Sequence, residues 1–375
     1  MRDELSRLLD FLEDRIDLEE QAAISARYQK ALNWDAVDRP PLCLTYPLPK
    51  DCPFQPFPHR EVFDDPEKML HNQLVCAFNA SLVCHSAVGD DLPFSIRADF
   101  GTVIIASLFG ARIEQVGDDP PWVLPFEGTD GLQAVLDADP LDFSRGWCPR
   151  VIRTYEFYRE VLAGYPKLNQ ALSVTLPDLQ GPFDNAELLR GSGIFLDLYD
   201  QTDRLNAVLE RLAQAQVGFA RRLQPLIRES TPGFSHQHAV KIAGNVLIRN
   251  DSTIMMSAEM YRGVVAAHDT EVLKELGGGG IHSCGNFGHL ADAYFDLPGV
   301  TGLDLGQPEM NDLDLLYARA CARQLPLFRM DVPEEQFRSG QAKKRFPTGV
   351  VFRHHVESAQ VASELYQAYR AGSKG

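Results

Sequence analysis

The segment from residue 275 to residue 288 contains the two side chains best suited to metal chemistry, His282 and Cys284. Residues 281–284 have the composition of a short buried strand between two glycine-containing turns. Because alternate side chains of a strand point to the same face, the imidazole and the thiol should lie side by side. Imidazole nitrogen and thiolate sulfur are both zinc ligands. The pair therefore predicts part of a zinc site; the alternatives are a buried structural pair and a histidine that does acid–base work unaided.

Polar groups also follow three other predicted strands, after residues 249, 305 and 353. If the strands are parallel and close into a barrel, their carboxyl ends meet at one rim, where such folds carry their chemistry. We therefore expect these groups to share a site with His282. The roles assigned are catalysis for His282, Asp251 and His238, substrate binding for Arg97, Arg249, Asn250, His236, Gln307 and Arg353, and metal binding for His282, Cys284, His354 and Glu309.

Several of these side chains also have ordinary structural interpretations. Asp251 is placed as well to cap a helix as to act as a base or orient a substrate. His236 and His238 are two residues apart and can share a strand face, or one of them faces solvent. The arginines are suited to clamp an anionic group, or pair with surface carboxylates.

Composition limits the kinds of partner. The chain has 375 residues, 45% of them hydrophobic, and a formal net charge of −16. An acidic surface repels phosphate backbones and anionic lipids, which argues against nucleic acid and membrane partners. The seven cysteines are odd in number and widely spaced, as in a protein of a reducing compartment. No signal-peptide pattern opens the sequence, and we expect a cytoplasmic protein.

The order of predicted elements indicates the fold class. Residues 1–34 have helical periodicity and predict an N-terminal helical extension packed on the main domain. In residues 35–375 strands alternate with helices, which favours an α/β fold, and the number of units favours a single (β/α)8 TIM barrel. Residues 103–108 are predicted to be extended. No phosphate-binding or dinucleotide-binding glycine motif is found.

Several segments together resemble the uroporphyrinogen decarboxylase superfamily, which includes the decarboxylase and corrinoid-dependent methyltransferases. The resemblance lies in residues 27–41, in Gln-Gly-Pro-Phe at 180–183, in residues 197–203, in Asn-Asp-Ser at 250–252 and in Ile-His-Ser-Cys-Gly at 281–285. It extends from about residue 27 to the end of the chain. The family fold is a (β/α)8 barrel, as the order of elements predicts.

The methyltransferase branch is the nearer one. It binds zinc through His-x-Cys and a later cysteine; His282 and Cys284 match the first two ligands, but no cysteine follows Cys321. The third ligand is then expected from His354, His355, Asp251 or Glu309, or no metal binds. The decarboxylase is less similar, because the segment after the first strand lacks the arginine that would bind the acidic side chains of a porphyrinogen.

The resemblance implies a methyltransferase that moves a methyl group between a small-molecule donor or thiol and a corrinoid (methylcobalamin), with zinc as Lewis acid. The chain has no cobalamin-binding motif, so the corrinoid would arrive free or on a corrinoid protein. The alternatives are a decarboxylase or lyase acting on a small acid or tetrapyrrole, and a ligand-binding subunit without catalysis. The family also implies a homodimer.

Overall fold

A computed structural model describes residues 2–373. Twelve strands are found there: β1 (Leu42–Thr45), β2 (Ser95–Ile96), β3 (Arg112–Glu114), β4 (Trp122–Leu124), β5 (Ser173–Val174), β6 (Phe234–Gln237), β7 (Val240–Ala243), β8 (Val246–Arg249), β9 (Gly279–Ser283), β10 (Val300–Leu305), β11 (Leu327–Met330) and β12 (Val350–His355).

Eighteen α-helices connect or flank the strands in the same part of the chain. They are α1 (Arg2–Arg15), α2 (Leu18–Leu32), α3 (Pro66–Val75), α4 (His85–Val88), α5 (Ile104–Leu108), α6 (Asp130–Asp137), α7 (Cys148–Leu162), α8 (Pro166–Ala171), α9 (Pro182–Arg190), α10 (Ile194–Asp200), α11 (Thr202–Leu223), α12 (Ala258–Met260), α13 (Ala266–Glu275), α14 (Ala291–Phe295), α15 (Leu313–Arg323), α16 (Glu334–Arg338), α17 (Gln341–Arg345) and α18 (Ala359–Gly372). None of them is long and apolar enough to cross a membrane.

The main sheet has six parallel strands in the order β1-β12-β11-β10-β9-β8. Strands β2 and β5 form a separate parallel pair. These eight strands follow one another in sequence with helices between them, so the predicted β/α alternation is confirmed. Within residues 2–373 no strand pairing joins β1 to β2 or β5 to β8. The architecture is therefore an α/β fold of barrel-like order, with hydrogen-bonded continuity over six strands.

The antiparallel hairpin of β6 and β7 packs against this sheet. Strand β7 contacts three successive strands, β9, β10 and β11. Helix α14 also packs on β10. Val240 and Ile242 of the hairpin are fully buried. At its open end the carbonyl of Ala243 accepts a hydrogen bond of 2.9 Å from Thr301 at the start of β10. The hairpin turn is therefore carried toward the carboxyl ends of the strands.

The N-terminal segment forms two helices. Leu5, Leu8, Leu9 and Leu12 of α1 are buried, and α1 contacts α3 and α8. Asp17 begins α2 by accepting hydrogen bonds from the backbone N–H groups of residues 19 and 20. The predicted helical extension is present, with a break that this cap explains.

The extended conformation predicted for residues 103–108 is wrong. Residues Ile104–Leu108 form helix α5, and all five are buried. A short apolar run that is buried on every side carries no periodicity, so it cannot distinguish a strand from a helix.

Asp91 connects the N-terminal helices to the sheet. Its carboxylate is fully buried and accepts from Arg27 (2.6 Å), from Arg39 (3.3 Å) and from the N–H of Leu42 in β1 (3.1 Å). Two cations of the N-terminal region thus converge on one buried anion at the edge of β1. Removing the anion leaves both guanidinium groups without their buried partner, which is costly.

We predict that Asp91→Asn lowers the free energy of unfolding by about 3 kcal/mol, because a broken buried ion pair costs more than a surface one. The matched control is Asp38→Asn. Asp38 pairs with the same two arginines but is 61% exposed, so its loss should cost about 0–1 kcal/mol. Urea unfolding followed by circular dichroism measures both. Equal losses for the two variants would contradict the assignment of Asp91 as the anchor.

Candidate functional site

Three potential metal ligands meet at the carboxyl ends of the adjacent strands β8 and β9. The ligand atoms of Asp251, His282 and Cys284 all lie within 4.8 Å of one another. His282 lies within β9, Cys284 follows that strand directly, and Asp251 follows β8 by two residues. The predicted side-by-side placement of the imidazole and the thiol is thus realised, and Asp251 completes a set of three.

The spacing of these atoms fits a tetrahedral zinc ion. Typical zinc–ligand bonds and tetrahedral angles place nitrogen and oxygen about 3.3 Å apart and nitrogen and sulfur about 3.6 Å apart. His282 Nε2 lies 3.3 Å from Asp251 Oδ1 and 3.6 Å from Cys284 Sγ. The Asp251 side chain is 40% exposed, so a fourth position would open toward solvent, as in catalytic zinc sites.

Backbone hydrogen bonds hold the two ligand-bearing loops. Asp251 Oδ1 accepts from the N–H of Cys284 at 2.7 Å, so one loop positions the other. Buried Asp184 accepts from the N–H of Asp251 at 2.8 Å and from that of Ser252 at 3.1 Å. Gln307 accepts from the N–H of Gly285 at 2.8 Å. The ligands are therefore fixed by their surroundings without help from a metal.

Asp304 and Arg329 lie behind His282. Asp304 is 1% exposed and is bound by the Arg329 guanidinium through Nε (2.6 Å) and Nη2 (2.8 Å). His282 Nδ1 lies 2.9 Å from both Asp304 Oδ2 and Arg329 Nη2. Arg329 has a positive φ of 54°, a strained conformation for a side chain of this size. The strained backbone of Arg329 and its buried ion pair with Asp304 together fix the position of the His282 imidazole.

The two contacts of Nδ1 require different tautomers of His282. With the proton on Nδ1, the ring donates to Asp304, and Nε2 has a free lone pair that can bind a metal. With the proton on Nε2, the ring donates toward Asp251, and Nδ1 accepts from Arg329. A carboxylate on the distal nitrogen is the usual partner of a metal-bound histidine. The Asp304 carboxylate is therefore placed to hold His282 in the tautomer whose Nε2 can bind a metal.

Burial and charge set the protonation of the surrounding groups. Burial alone would raise the pKa of Asp304, but Arg329 and His282 outweigh it and hold that pKa well below its ordinary value. Burial and the neighbouring Asp251 carboxylate raise the pKa of Cys284 to about 12. Burial, then Arg329, lowers the pKa of His238 well below its ordinary value. Asp304 is thus an anion, His238 is neutral, and Cys284 is a thiol until a cation binds.

Gly306 is required by the close approach of this site to β10. A Cβ atom at residue 306 would lie 2.6 Å from Cys284 Sγ and 2.9 Å from His282 Cε1. Any side chain would therefore displace a candidate ligand. Beyond this glycine lies a cavity of about 280 Å³ that Arg329, Arg353 and His355 also line.

The other residues assigned to the metal lie apart from the cluster. His354 Nδ1 is 2.7 Å from Asp331 Oδ1, and Glu309 lines the 280 Å³ cavity. The single cluster of three such ligands among the described residues contains neither of them. Strand β12 is three positions along the sheet from β9, which is why its final histidines do not join the cluster.

His238 reaches the site from the turn of the β6–β7 hairpin. Its ring centre is 5.5 Å from that of His282, and its Nδ1 is 3.5 Å from Asp304 Oδ2. His236 does not share this position. It lies in β6, where its Nδ1 is 2.6 Å from Glu229.

The residues assigned to substrate binding fall into two groups. Asn250 donates to buried Asp269 at 2.6 Å, and Gln307 holds the loop after β9. Arg249 is 2.8 Å from Asp178 and donates to Gln237. These three side chains are occupied by other protein groups, whereas Arg97 and Arg353 each border a cavity.

Sequence reasoning missed four residues that shape the site: Asp184, Asp304, Gly306 and Arg329. Two of them had a usable signal. Asp304 and Arg329 are single charges within otherwise apolar strands, Leu-Asp-Leu and Phe-Arg-Met. A charge in a buried strand must be paired, so these two could have been proposed as partners.

Comparison with known proteins supports the architecture. No protein-family model matches the sequence, and no curated protein matches it. Among solved structures, a methyltransferase from Methanosarcina mazei superposes with a TM-score of 0.62 and 17% sequence identity. The similarity covers 93% of this chain and 98% of the other. At that identity the similarity establishes a shared fold, that of a methyltransferase.

We predict that Cys284 reacts slowly with iodoacetamide at pH 8 once the protein has been treated with chelator. A rise in its pKa from 9.0 to about 12 lowers the thiolate fraction about a thousandfold. Asp251→Asn should increase the rate severalfold, because it removes a negative charge that disfavours the thiolate. Mass spectrometry of the Cys284 peptide measures the rate, and exposed Asp296→Asn is the matched control. An unchanged or lower rate in Asp251→Asn would contradict the electrostatic assignment.

Proposed function

We propose that the protein is a zinc-dependent methyltransferase whose metal is held by Asp251, His282 and Cys284. The observation that carries the proposal is the ligand geometry, with 3.3 Å and 3.6 Å between the ligand atoms. The carboxylate behind the imidazole and the fold shared with a methyltransferase add support. Of the four candidates for the third ligand, the proposal takes Asp251, because its carboxylate lies near His282 and Cys284.

Bound zinc would supply Lewis-acid chemistry, by lowering the pKa of a thiol acceptor or by polarising the leaving group of a methyl donor. The protein side chains do the rest. Asp304 orients His282 so that Nε2 faces the site, and Arg329 keeps Asp304 ionised. Cys284 releases its proton when a cation replaces it, so metal affinity rises with pH. His238, which is neutral at the floor of the site, would orient the substrate.

The methyl partner in this proposal is a corrinoid. A cavity of about 280 Å³ beside the ligands is large enough for a small thiol or methyl donor. It is too small for a corrinoid ring system, which would have to approach from the open side where Asp251 is exposed. A separate corrinoid protein or free methylcobalamin is therefore the expected co-substrate.

A decarboxylase acting on a small acid is the second candidate. The observation that favours it is the pair of arginines at cavities, Arg97 and Arg353, each with nitrogen atoms that lack a hydrogen-bond partner among the described residues. In that reaction His282 would act as general acid and an arginine would hold the carboxylate. Such a reaction requires no zinc, and this separates the two candidates.

We predict about one zinc per chain in protein purified without chelator, as elemental mass spectrometry would measure. His282→Ala and Asp251→Ala should lose the metal, because two ligands seldom retain it. Asp304→Asn should weaken zinc binding about 10–100-fold, as is usual for the carboxylate behind a metal-bound histidine. His354→Ala is the matched control and should retain full occupancy.

Activity distinguishes the two candidate functions. With zinc, a thiol and methylcobalamin, the protein should demethylate the cobalamin, as absorbance would show, and His282→Ala should be inactive. Absence of zinc combined with release of carbon dioxide from a small acid would replace the methyltransferase with the decarboxylase. Zinc loss in His354→Ala with retention in Asp251→Ala would reassign the third ligand.

A further inference from the structure

Arg97 is a buried cation with incomplete hydrogen bonding. It is 5% exposed, and its Nη2 donates to Asp99 at 2.9 Å. Its Nε and Nη1 have no hydrogen-bond partner in the part of the chain that the structure describes. Buried guanidinium nitrogen atoms are normally paired, because leaving them unpaired loses solvation without compensation. Arg97 is therefore prepared for an acceptor that the protein itself does not supply.

The space beside Arg97 is closed to organic molecules in this conformation. A cavity of about 20 Å³, lined by Arg97, Phe78, Thr175 and His238, has room for about one water molecule. The ring of Phe78 covers it. That ring lies 4.7 Å from the guanidinium carbon of Arg97 and contacts His238 edge-on at 5.3 Å.

Phe78 is held over the cavity by a strained turn. Ala77 and Ala80 exchange both backbone hydrogen bonds, and the two residues between them have positive φ, 55° for Phe78 and 58° for Asn79. Two-residue turns of this kind favour Asn-Gly, and a phenylalanine in the left-handed region is unusual. Strained backbone at a binding site is often part of a switch.

The backbone carbonyl of Phe78, in the same turn, accepts a hydrogen bond from a second arginine. Arg353 donates through Nη2 to the carbonyl of Phe78 at 2.6 Å, whereas its buried Nε has no partner among the described residues. No ion pair to Arg353 exists within residues 2–373. A carbonyl oxygen thus lies where a carboxylate oxygen would bind a guanidinium more strongly.

The turn also separates three cavities. Phe78 lines both the 20 Å³ cavity and a second cavity of about 650 Å³. Asn79 lines both the 650 Å³ cavity and the 280 Å³ cavity beside the candidate ligands. Displacement of these two residues would join the three spaces. Arg97 and Arg353 would then face one cleft that leads to Gly306 and Cys284.

We propose that Arg97 binds a carboxylate group of the substrate and that the turn at Ala77–Ala80 is the gate that opens for it. The inference rests on the proposed function only in treating the ligand as a substrate. It specifies the substrate as a small carboxylate. On opening, Phe78 leaves the face of Arg97, and its carbonyl leaves Arg353 free for a second anionic group.

The test is calorimetric titration of the metal-free full-length protein with propionate, and with propionamide as the neutral isostere. Phe78→Gly removes the ring while glycine accepts the same φ. It should lower the Kd for propionate about tenfold, because less of the protein is closed. Propionamide should not bind. Gln324→Gly is the matched control; it relieves a left-handed residue (φ 53°) at the exposed end of α15, outside the turn, and should leave the Kd unchanged.

Arg97→Lys should weaken propionate binding about tenfold, because a single ammonium group replaces the guanidinium fork. If this variant does not fold, the comparison of Phe78→Gly with Gln324→Gly decides alone. Equal affinity for propionamide, or no change in folded Phe78→Gly, would overturn the proposal. Repetition in His282→Ala separates the two hypotheses, since propionate binding should persist there whether or not zinc is a cofactor.

Discussion

The buried ion pair of Asp304 and Arg329 is the interaction on which the rest of the site depends. It joins two neighbouring strands, β10 and β11, and Asp304 also contacts His282 on the other neighbour, β9. A one-residue slip of any of these strands would turn one partner to the opposite face. An uncompensated buried charge costs several kcal/mol, so the pair fixes the strand register. The interaction that secures the sheet thereby also fixes the orientation of the candidate metal-binding imidazole.

The hairpin of β6 and β7 gives the site its floor. In an ordinary barrel the interior is filled by side chains of the strands themselves. Here glycine occupies positions 279, 280 and 302 of β9 and β10, and a Cβ at residue 302 would lie 2.4 Å from the ring of Phe328. Small residues and an inserted hairpin thus share the interior, and the hairpin turn places His238 beside Asp304. The floor of the site therefore comes from a segment outside the parallel strands.

Local patterns in the sequence were sufficient for much of the architecture and for two of the three residues of the candidate metal cluster. The alternation of side chains in one strand placed His282 beside Cys284, and the strand predicted to end at residue 249 does end there. The sequence left four candidates for a third ligand, because which of them comes close to His282 depends on how the loops after the strands fold together, and that is a non-local property. Arg329 and the gate at Phe78 were missed for related reasons. The former pairs across strands, and the latter adopts a backbone conformation that a Phe-Asn sequence does not favour.

The four arginines around the candidate site fall into two groups according to their partners. Arg249 and Arg329 are matched with the carboxylates Asp178 and Asp304, and such pairs are architectural. Arg97 and Arg353 have unpaired nitrogen atoms and border cavities. The charge of the proposed metal site indicates what this division would mean for substrate binding. A divalent zinc ion with one carboxylate and one thiolate is neutral overall, so it would not attract an anion over distance. In a chain with a net charge of −16, attraction of the proposed acidic substrate would then come mainly from Arg353, which has no ion pair among the described residues. Arg97 is paired with Asp99 at 2.9 Å and would contribute its unpaired nitrogen atoms at short range.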